Sequence, residues 1–119
     1  MSNGDPLGKK SYSFAIDIVK LARHLQTNER EYVLSRQVLR SGTAIGALIR
    51  EGQFGQSRAD FANKMAIALK EANETEYWLC LLKDSDLISE EQYSRLHPVC
   101  CELIAMLVAT VKTAKRSRK

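Results

Sequence analysis

The chain has 119 residues, the length of one ordinary domain. Hydrophobic residues make up 45% of it and charged residues 27%, a globular composition that excludes an intrinsically disordered protein. Six glycines and two prolines supply too few turns for an all-β fold of many short strands. We therefore expect a helical domain that is large enough to bury its own core.

The net charge of +4 comes from the C-terminal end. Residues 112–119 contain no acid and hold five of the 18 basic residues, Lys112, Lys115, Arg116, Arg118 and Lys119. The rest of the chain then has 13 basic and 14 acidic residues, a net charge of −1. We predict a basic tail over 115–119. It is either a solvated tail or an arm that binds nucleic acid.

The three cysteines, Cys80, Cys100 and Cys101, form no CxxC pair. Their odd number and irregular spacing, without a signal peptide, favour reduced thiols in a cytoplasmic protein. The longest apolar run covers 103–111 and is too short to cross a bilayer. We expect no membrane partner.

Four helices are predicted in chain order. Residues 1–10 have no apolar period and are expected to form a flexible leader. The first helix covers 11–26, with apolar residues three and four positions apart from Phe14 to Leu25. The others cover 29–52, 58–84 and 90–114. Each opens with a cap and a polar residue three positions on: Asn28 with Glu31, Ser57 with Asp60, and Ser89 with Gln92.

The apolar rows of these helices alternate in steps of three and four, as in left-handed bundles. Connections of a few residues make consecutive helices antiparallel. We predict an all-α protein, an antiparallel up-down-up-down four-helix bundle over residues 11–114. Pro98 has no amide to donate, so the fourth helix should kink or break there.

Gly42 and Gly46 lie one turn apart inside the second helix, where each glycine costs about 1 kcal/mol relative to alanine. Close approach of another backbone would offset this cost. The approaching helix belongs either to the same bundle or to a second subunit or ligand. In the fourth helix, Ile104, Val108 and Val111 add a second apolar row beyond the core row. We predict that all five residues lie in an oligomer interface.

A basic row, Arg36, Arg40 and Arg50, follows the outer face of the second helix. Glu71 and Glu74 of the third helix are its candidate partners. Three interpretations stay open: surface ion pairs within one chain, an ion-pair network between subunits, and contacts to nucleic-acid phosphates. No aromatic residue alternates with these arginines in the sequence, which weakens the case for single-strand binding.

No catalytic, metal or cofactor site is predicted. His24 and His97 lie on different helices and lack the spacing of a shared metal motif. Glu71, Glu74 and Glu76 cluster on the third helix, and we expect no histidine partner for them on a neighbouring helix. We therefore expect a protein that is not an enzyme.

The strings RSGTAIGALIREG at 40–52 and SRADFANKMAIALKEANETEYWLCLL at 57–82 resemble the bacterial four-helix-bundle proteins encoded in intervening sequences of large-subunit ribosomal RNA genes. The resemblance covers about 11–112. Leu48 stands where the family pattern has asparagine. The resemblance implies a cytosolic all-helical protein that assembles into a ring-shaped homopentamer. It also implies distant relatives that bind nucleic acid and a reverse transcriptase.

Two functions follow from these patterns. The first is a non-enzymatic scaffold or adaptor that self-assembles into a ring-like homo-oligomer, with five copies by resemblance. The alternative is a nucleic-acid-binding accessory protein that uses the basic tail and the arginine row, and whose binding is weak in a single copy.

Overall fold

The computed structural model describes residues 5–117. This part of the chain folds into four helices: α1 over Pro6–Asn28, α2 over Leu34–Gln53, α3 over Arg58–Asp84 and α4 over Glu90–Ser117. Each helix packs against the next in the chain, and α4 closes the bundle against α1. The bundle is 49 Å long and about half as wide in both other directions, at 25 and 24 Å. The predicted all-α four-helix bundle is confirmed.

Helix α1 begins at Pro6, so the predicted flexible leader over 1–10 is wrong for residues 6–10. The Asp5 carboxylate accepts a hydrogen bond from the Gly8 amide at 2.9 Å and caps the helix. Pro6 follows at the first helical position, where its missing amide costs nothing. The remainder of the predicted leader, residues 1–4, lies outside the described residues.

Helix α2 begins five residues later than predicted, at Leu34. The predicted cap, Asn28, is instead the last residue of α1. The chain then turns at Arg30, whose φ of 54° lies in the left-handed region. The Glu31 carboxylate caps α2 in place of Asn28, because it accepts a hydrogen bond from the Ser35 amide at 2.8 Å.

The other two helix starts are confirmed. The Ser57 hydroxyl accepts from the Asp60 amide at 3.0 Å. At α4 the Gln92 amide donates to the Ser89 hydroxyl at 3.0 Å, and the Ser89 amide donates to the Gln92 side chain at 2.8 Å. This reciprocal pair is a capping box.

Helix α3 ends in a Schellman motif. The Leu87 amide donates to the Leu82 carbonyl at 2.9 Å, and the Asp86 amide donates to the Lys83 carbonyl at 3.0 Å. Asp86 itself has a φ of 60°. The motif satisfies the last carbonyls of α3 and turns the chain toward α4.

Helix α4 runs without a break through Pro98 and on to Ser117. The predicted tail over 115–119 is therefore wrong for residues 115–117, which continue the helix. By length and apolar composition, the stretch Glu90–Arg116 is the described helix that could cross a membrane. A core helix of a bundle has the same properties, and α4 places Cys100, Leu103 and Leu107 in the core without exposure. The expected lack of a membrane partner stays a prediction.

The core follows the predicted apolar rows and includes one polar pair. The largest buried residues include Phe14, Ile18, Leu25, Ile45, Ile49, Met65, Leu79, Leu82, Leu103 and Leu107. Ser41 of α2 and Thr75 of α3 lie among them, with their hydroxyl oxygens 2.8 Å apart. The Thr75 hydroxyl donates to the Glu71 carbonyl at 2.8 Å, so the Ser41 hydroxyl donates to Thr75. This bond joins α2 to α3 inside the core.

Candidate functional site

Two of the three glycines of α2, Gly42 and Gly46, face α1 of the same chain. Gly42 is buried, and a Cβ atom there would lie 2.8 Å from a methyl carbon of Ile18. Gly46 is half-buried, and its Cβ would lie 3.4 Å from the Ser11 carbonyl oxygen. The prediction that Gly42 contacts a second subunit is therefore wrong. The alternative, close packing within one bundle, holds for it, while Gly46 keeps an open side.

The prediction that Val111 of α4 lies in an oligomer interface is also wrong, because this residue packs in the core with 9% exposure. Ile104 and Val108 are half-buried, and Ile104 packs against the core. In the most apolar stretch of α4, only 28% of the residues are buried inside the chain. Helix α4 thus presents apolar surface beyond what its own bundle covers. Leu48 of α2 is likewise half-buried against the core.

Arg40 is held by acidic residues of α3 in the same chain. Its guanidinium pairs with the Glu71 carboxylate at 3.1 Å and also donates to Glu74. The indole of Trp78 donates to the same Glu74 carboxylate at 3.1 Å. This hydrogen bond, followed by the one from Arg40, lowers the pKa of Glu74 below its ordinary value. Of the open interpretations for Arg40, the structure supports ion pairing within one chain.

The other two arginines of the predicted basic row, Arg36 and Arg50, are exposed. The guanidinium carbon of Arg50 lies 5.8 Å from the ring centroid of Tyr12 on α1, within range of a cation–π contact. An aromatic residue therefore does accompany the arginine row. The sequence did not indicate it, because Tyr12 comes from another helix. Arg36 is exposed near the start of α2.

Beside Arg50, an apolar groove opens between α1 and α2. We call it the α1/α2 groove; its lining includes Tyr12, Ile16, Gly46, Ala47, Arg50 and Phe54, together with the charged residues Asp5, Lys9 and Glu51. Its volume is about 860 Å³. Three of its large apolar side chains are exposed: Tyr12 by 59%, Ile16 by 43% and Phe54 by 83%. Gly46 and Ala47 give the groove a low floor, since they carry almost no side chain. Sequence reasoning identified Gly46 and Arg50 here and missed the other lining residues.

The basic C-terminal residues fall in two groups. Lys112, Lys115 and Arg116 are exposed on the last turns of α4. Arg118 and Lys119 lie outside the described residues. The described cations therefore project from a helix, which spaces their charges regularly.

Sequence reasoning also missed a polar cluster where α3 faces α4. Nε2 of His97 lies 3.0 Å from a carboxylate oxygen of Glu76 and 3.6 Å from Sγ of Cys101. One ligand atom from each of these three residues lies within 4.8 Å of the others. The Tyr93 ring stacks on the His97 ring with centroids 4.6 Å apart. The sequence signal was present as Glu76-x₃-Cys80 on α3 and His97-x₃-Cys101 on α4, pairs one helical turn apart.

Hydrogen bonds and burial shift the pKa values in this cluster. The hydrogen bond from His97 lowers the pKa of the Glu76 carboxyl. A hydrogen bond with Cys80, together with burial, raises the pKa of Tyr93 to about 12. Burial, with the nearby Glu76 and Cys80, raises the pKa of the Cys101 thiol. The cluster therefore holds a carboxylate beside a neutral thiol and a neutral phenol at neutral pH.

Known proteins match the chain at the level of fold and family. The family model described as 23S rRNA-intervening sequence protein matches residues 7–109. A crystal structure of a protein of unknown function from the S23 ribosomal protein family of Bacteroides thetaiotaomicron is 50% identical in sequence. It aligns with a TM-score of 0.87 over 89% of this chain and 98% of that chain. No curated protein matches the sequence significantly. The predicted resemblance is confirmed: the chain belongs to the 23S rRNA-intervening sequence protein family.

Proposed function

We propose that the protein is a non-enzymatic scaffold or adaptor that assembles from copies of itself. The observation that carries this proposal is the α1/α2 groove, where Tyr12, Ile16 and Phe54 expose large apolar surfaces side by side. Single exposed apolar residues are ordinary, but a contiguous apolar patch marks a binding surface. Burying each of these side chains in an interface stabilises it by about 1.5–3 kcal/mol.

The occupant that we propose for the groove is a second copy of this chain. The complementary surface is the outer side of α4, where Ile104 and Val108 are half-buried and Ala105 and Ala109 are exposed. The groove is lined by residues of α1, of α2 and of the turn that follows α2. A chain with two different apolar surfaces can join head to tail, and such a heterologous contact closes into a ring when its rotation fits.

The family resemblance supports a ring of five copies. Five chains of 13.4 kDa give an assembly of about 67 kDa. We also propose that the protein works in the cytoplasm. Three free cysteines, two of them accessible at least in part, suit a reducing compartment.

Light scattering coupled to gel filtration tests the assembly. We expect a wild-type mass several times 13.4 kDa at micromolar concentration. Phe54→Glu and Val108→Glu should each give smaller species, because each would bury an unpaired charge in the interface. Val33→Glu is the matched control, since Val33 is a 68% exposed apolar residue outside the groove. It should leave the mass unchanged.

Mixing the two disrupted variants tests the head-to-tail arrangement. Phe54→Glu keeps an intact α4 surface and Val108→Glu keeps an intact groove. One copy of each should therefore join into a dimer of about 27 kDa, twice the chain mass. A wild-type monomer would refute self-assembly. A wild-type oligomer whose two variants never combine would refute the pairing of these two surfaces.

The second candidate function is binding of nucleic acid. The exposed cations Lys112, Lys115 and Arg116 on the last turns of α4 favour it. The acidic residues that occupy Arg40 oppose it, because that guanidinium already has carboxylate partners. A ring would multiply the cations of one chain and raise the affinity through multivalency. We place this function below self-assembly.

A further inference from the structure

The cluster of Glu76, His97 and Cys101 has the composition of a metal site. A carboxylate, an imidazole and a thiolate are all ligands of Zn²⁺ in proteins. The residues come from two packed helices, Glu76 from α3 and the other two from one face of α4. Helices fix the positions of their side chains more firmly than loops do. The site would therefore be largely preorganised.

Two of the three distances between the ligand atoms are close to those around a tetrahedral ion. Bonds of about 2.0 Å to nitrogen or oxygen and about 2.3 Å to sulfur place tetrahedral ligands about 3.3–3.6 Å apart. Nε2 of His97 lies 3.6 Å from Sγ of Cys101 and 3.0 Å from the Glu76 oxygen. An ion needs a few tenths of an ångström of movement between His97 and Glu76. The third pair, Sγ of Cys101 and the Glu76 oxygen, lies within 4.8 Å and must reach about 3.5 Å around a bound ion. Glu76 and His97 are half-buried, while Cys101 is exposed, so an ion can enter from solvent.

Neighbouring residues hold the ligands in place. Tyr93 stacks on the His97 ring at an interplanar angle of 18°, which restricts rotation of the imidazole. Cys80 lies one turn from Glu76 on α3, with its Sγ 3.5 Å from the Glu76 carboxylate and 3.6 Å from the Tyr93 hydroxyl. Partners of this kind orient metal ligands. Cys80 is thus placed to orient Glu76 and lies outside the set of three ligands.

We propose that Glu76, His97 and Cys101 form a binding site for a divalent transition-metal ion of the zinc class, with the fourth position open. Three protein ligands and one open position leave room for a water molecule. The site shares one face of α4 with Ile104 and Val108, at successive steps of four, three and four residues from His97. The site consequently lies next to the proposed assembly surface.

Cobalt and zinc titrations of the full, reduced chain test the proposal. We expect one Co²⁺ per chain, with visible bands of tetrahedral cobalt, a thiolate-to-cobalt charge-transfer band in the ultraviolet, and displacement of cobalt by Zn²⁺. Cys101→Ser and His97→Gln should each weaken Zn²⁺ binding more than about tenfold, because loss of even a partner that orients a ligand costs about 10- to 100-fold. Circular dichroism verifies that the variants remain folded.

Three further variants make the test specific. His24→Gln changes the other histidine of the chain and should leave the Zn²⁺ affinity unchanged. Cys80→Ser removes a partner that orients Glu76 and should weaken binding, but at saturating Co²⁺ it should keep the thiolate band, whereas Cys101→Ser should lose it. Phe54→Glu should bind metal as the wild type does, so failure of the metal site and failure of self-assembly are distinguishable. Unaltered Zn²⁺ affinity in Cys101→Ser, or loss of the thiolate band in Cys80→Ser, would overturn the site as assigned.

Discussion

Gly42 of α2 lies directly against Ile18 of α1. A Cβ atom at position 42 would be 2.8 Å from Cγ2 of Ile18 and 2.9 Å from Cγ1, well inside van der Waals contact. Gly46 lies one turn further along α2, and its Cβ would be at an ordinary 3.4 Å from the Ser11 carbonyl oxygen. The two glycines therefore differ in function: the first allows the helices to approach, and the second keeps the groove floor low.

Alanine substitutions at the two glycines should have opposite effects on stability. Both variants gain about 1 kcal/mol of helix propensity. Gly42→Ala must also displace Ile18, and overpacking of this kind costs about 1–3 kcal/mol. Gly46→Ala makes only ordinary contacts. Urea unfolding should thus find Gly42→Ala less stable than Gly46→Ala by about 1–3 kcal/mol. Equal stabilities would contradict the close contact between Gly42 and Ile18.

The hydrogen bond from Trp78 should control the titration of Glu74. The Trp78 indole and then Arg40 lower the pKa of Glu74 from its ordinary value of 4.5. In Trp78→Phe that carboxyl should titrate at higher pH. Arg40→Gln, which removes both a hydrogen bond and a nearby positive charge, should also raise its pKa. NMR titration of the Glu74 carboxyl measures both changes. An unchanged Glu74 pKa in Trp78→Phe would exclude the indole as the main cause.

The same lowered pKa fixes the sign of a pH effect on stability. A carboxyl with a lower pKa in the folded state stabilises the fold above its unfolded pKa, and this contribution is lost as pH falls through the folded pKa. The stability difference between wild type and Glu74→Gln should be full above about pH 5.5, one unit above the ordinary value. It should shrink below pH 4.5. We expect no more than about 1 kcal/mol at neutral pH, because the pair is partly exposed.

The helix caps offer a matched pair of variants. Ser89→Ala removes the hydroxyl that accepts from the Gln92 amide and should cost about 0.5–2 kcal/mol. Asn28→Ala changes an exposed residue at the end of α1 whose side chain bonds only to the neighbouring Thr27, and should change stability by no more than about 0.5 kcal/mol. Thermal or urea unfolding compares them. A large loss of stability in Asn28→Ala would show that Asn28 does cap a helix.

Salt dependence separates the scaffold from the nucleic-acid binder. Phosphate contacts release counterions, so the affinity for single-stranded RNA should fall with a log–log slope of about −0.7 per contact. We expect weak binding without sequence preference at low salt that disappears near physiological salt. Replacing Lys112, Lys115, Arg116, Arg118 and Lys119 with glutamine should remove most of it. The control Arg36→Gln should not.

Filter binding or fluorescence anisotropy measures these affinities. Glutamine substitution is preferable to deletion of 112–119, because Ala114 is buried and its loss would disturb the bundle. Tight RNA binding that survives both physiological salt and neutralised cations would make nucleic-acid binding the better function.

The fold was predictable from sequence because local signals agree with the global packing. Apolar periodicity placed the core rows, and Ser57 and Ser89 marked the starts of α3 and α4. The errors occur where two signals compete. Asp5 and Pro6 form a good start for α1, but Gly8 follows them, and glycine disfavours a helix. Asn28 matches a cap motif, yet the turn at Arg30 comes later and moves the cap to Glu31.

The candidate sites were less predictable, because they form between helices. Arg50 meets Tyr12, which is 38 positions away in the chain, only after α1 and α2 pack. His97 likewise meets Glu76 across the α3–α4 contact. Each site is made of residues from two helices, so a single helix contains only some of its residues. Spacing along the sequence therefore identifies the residues that one helix contributes, while the helix packing determines which residues of another helix lie beside them.

The Schellman motif at the end of α3 has a consequence for engineering. Its left-handed position, with φ of 60°, is occupied by Asp86, although glycine takes this conformation with the least steric cost. Asp86 is exposed, and the hydrogen bond from its backbone amide to the Lys83 carbonyl does not depend on its side chain. Aspartate at this turn therefore makes the fold less stable than glycine would. Asp86→Gly is a direct route to a more heat-resistant bundle whose α1/α2 groove and proposed metal ligands are untouched.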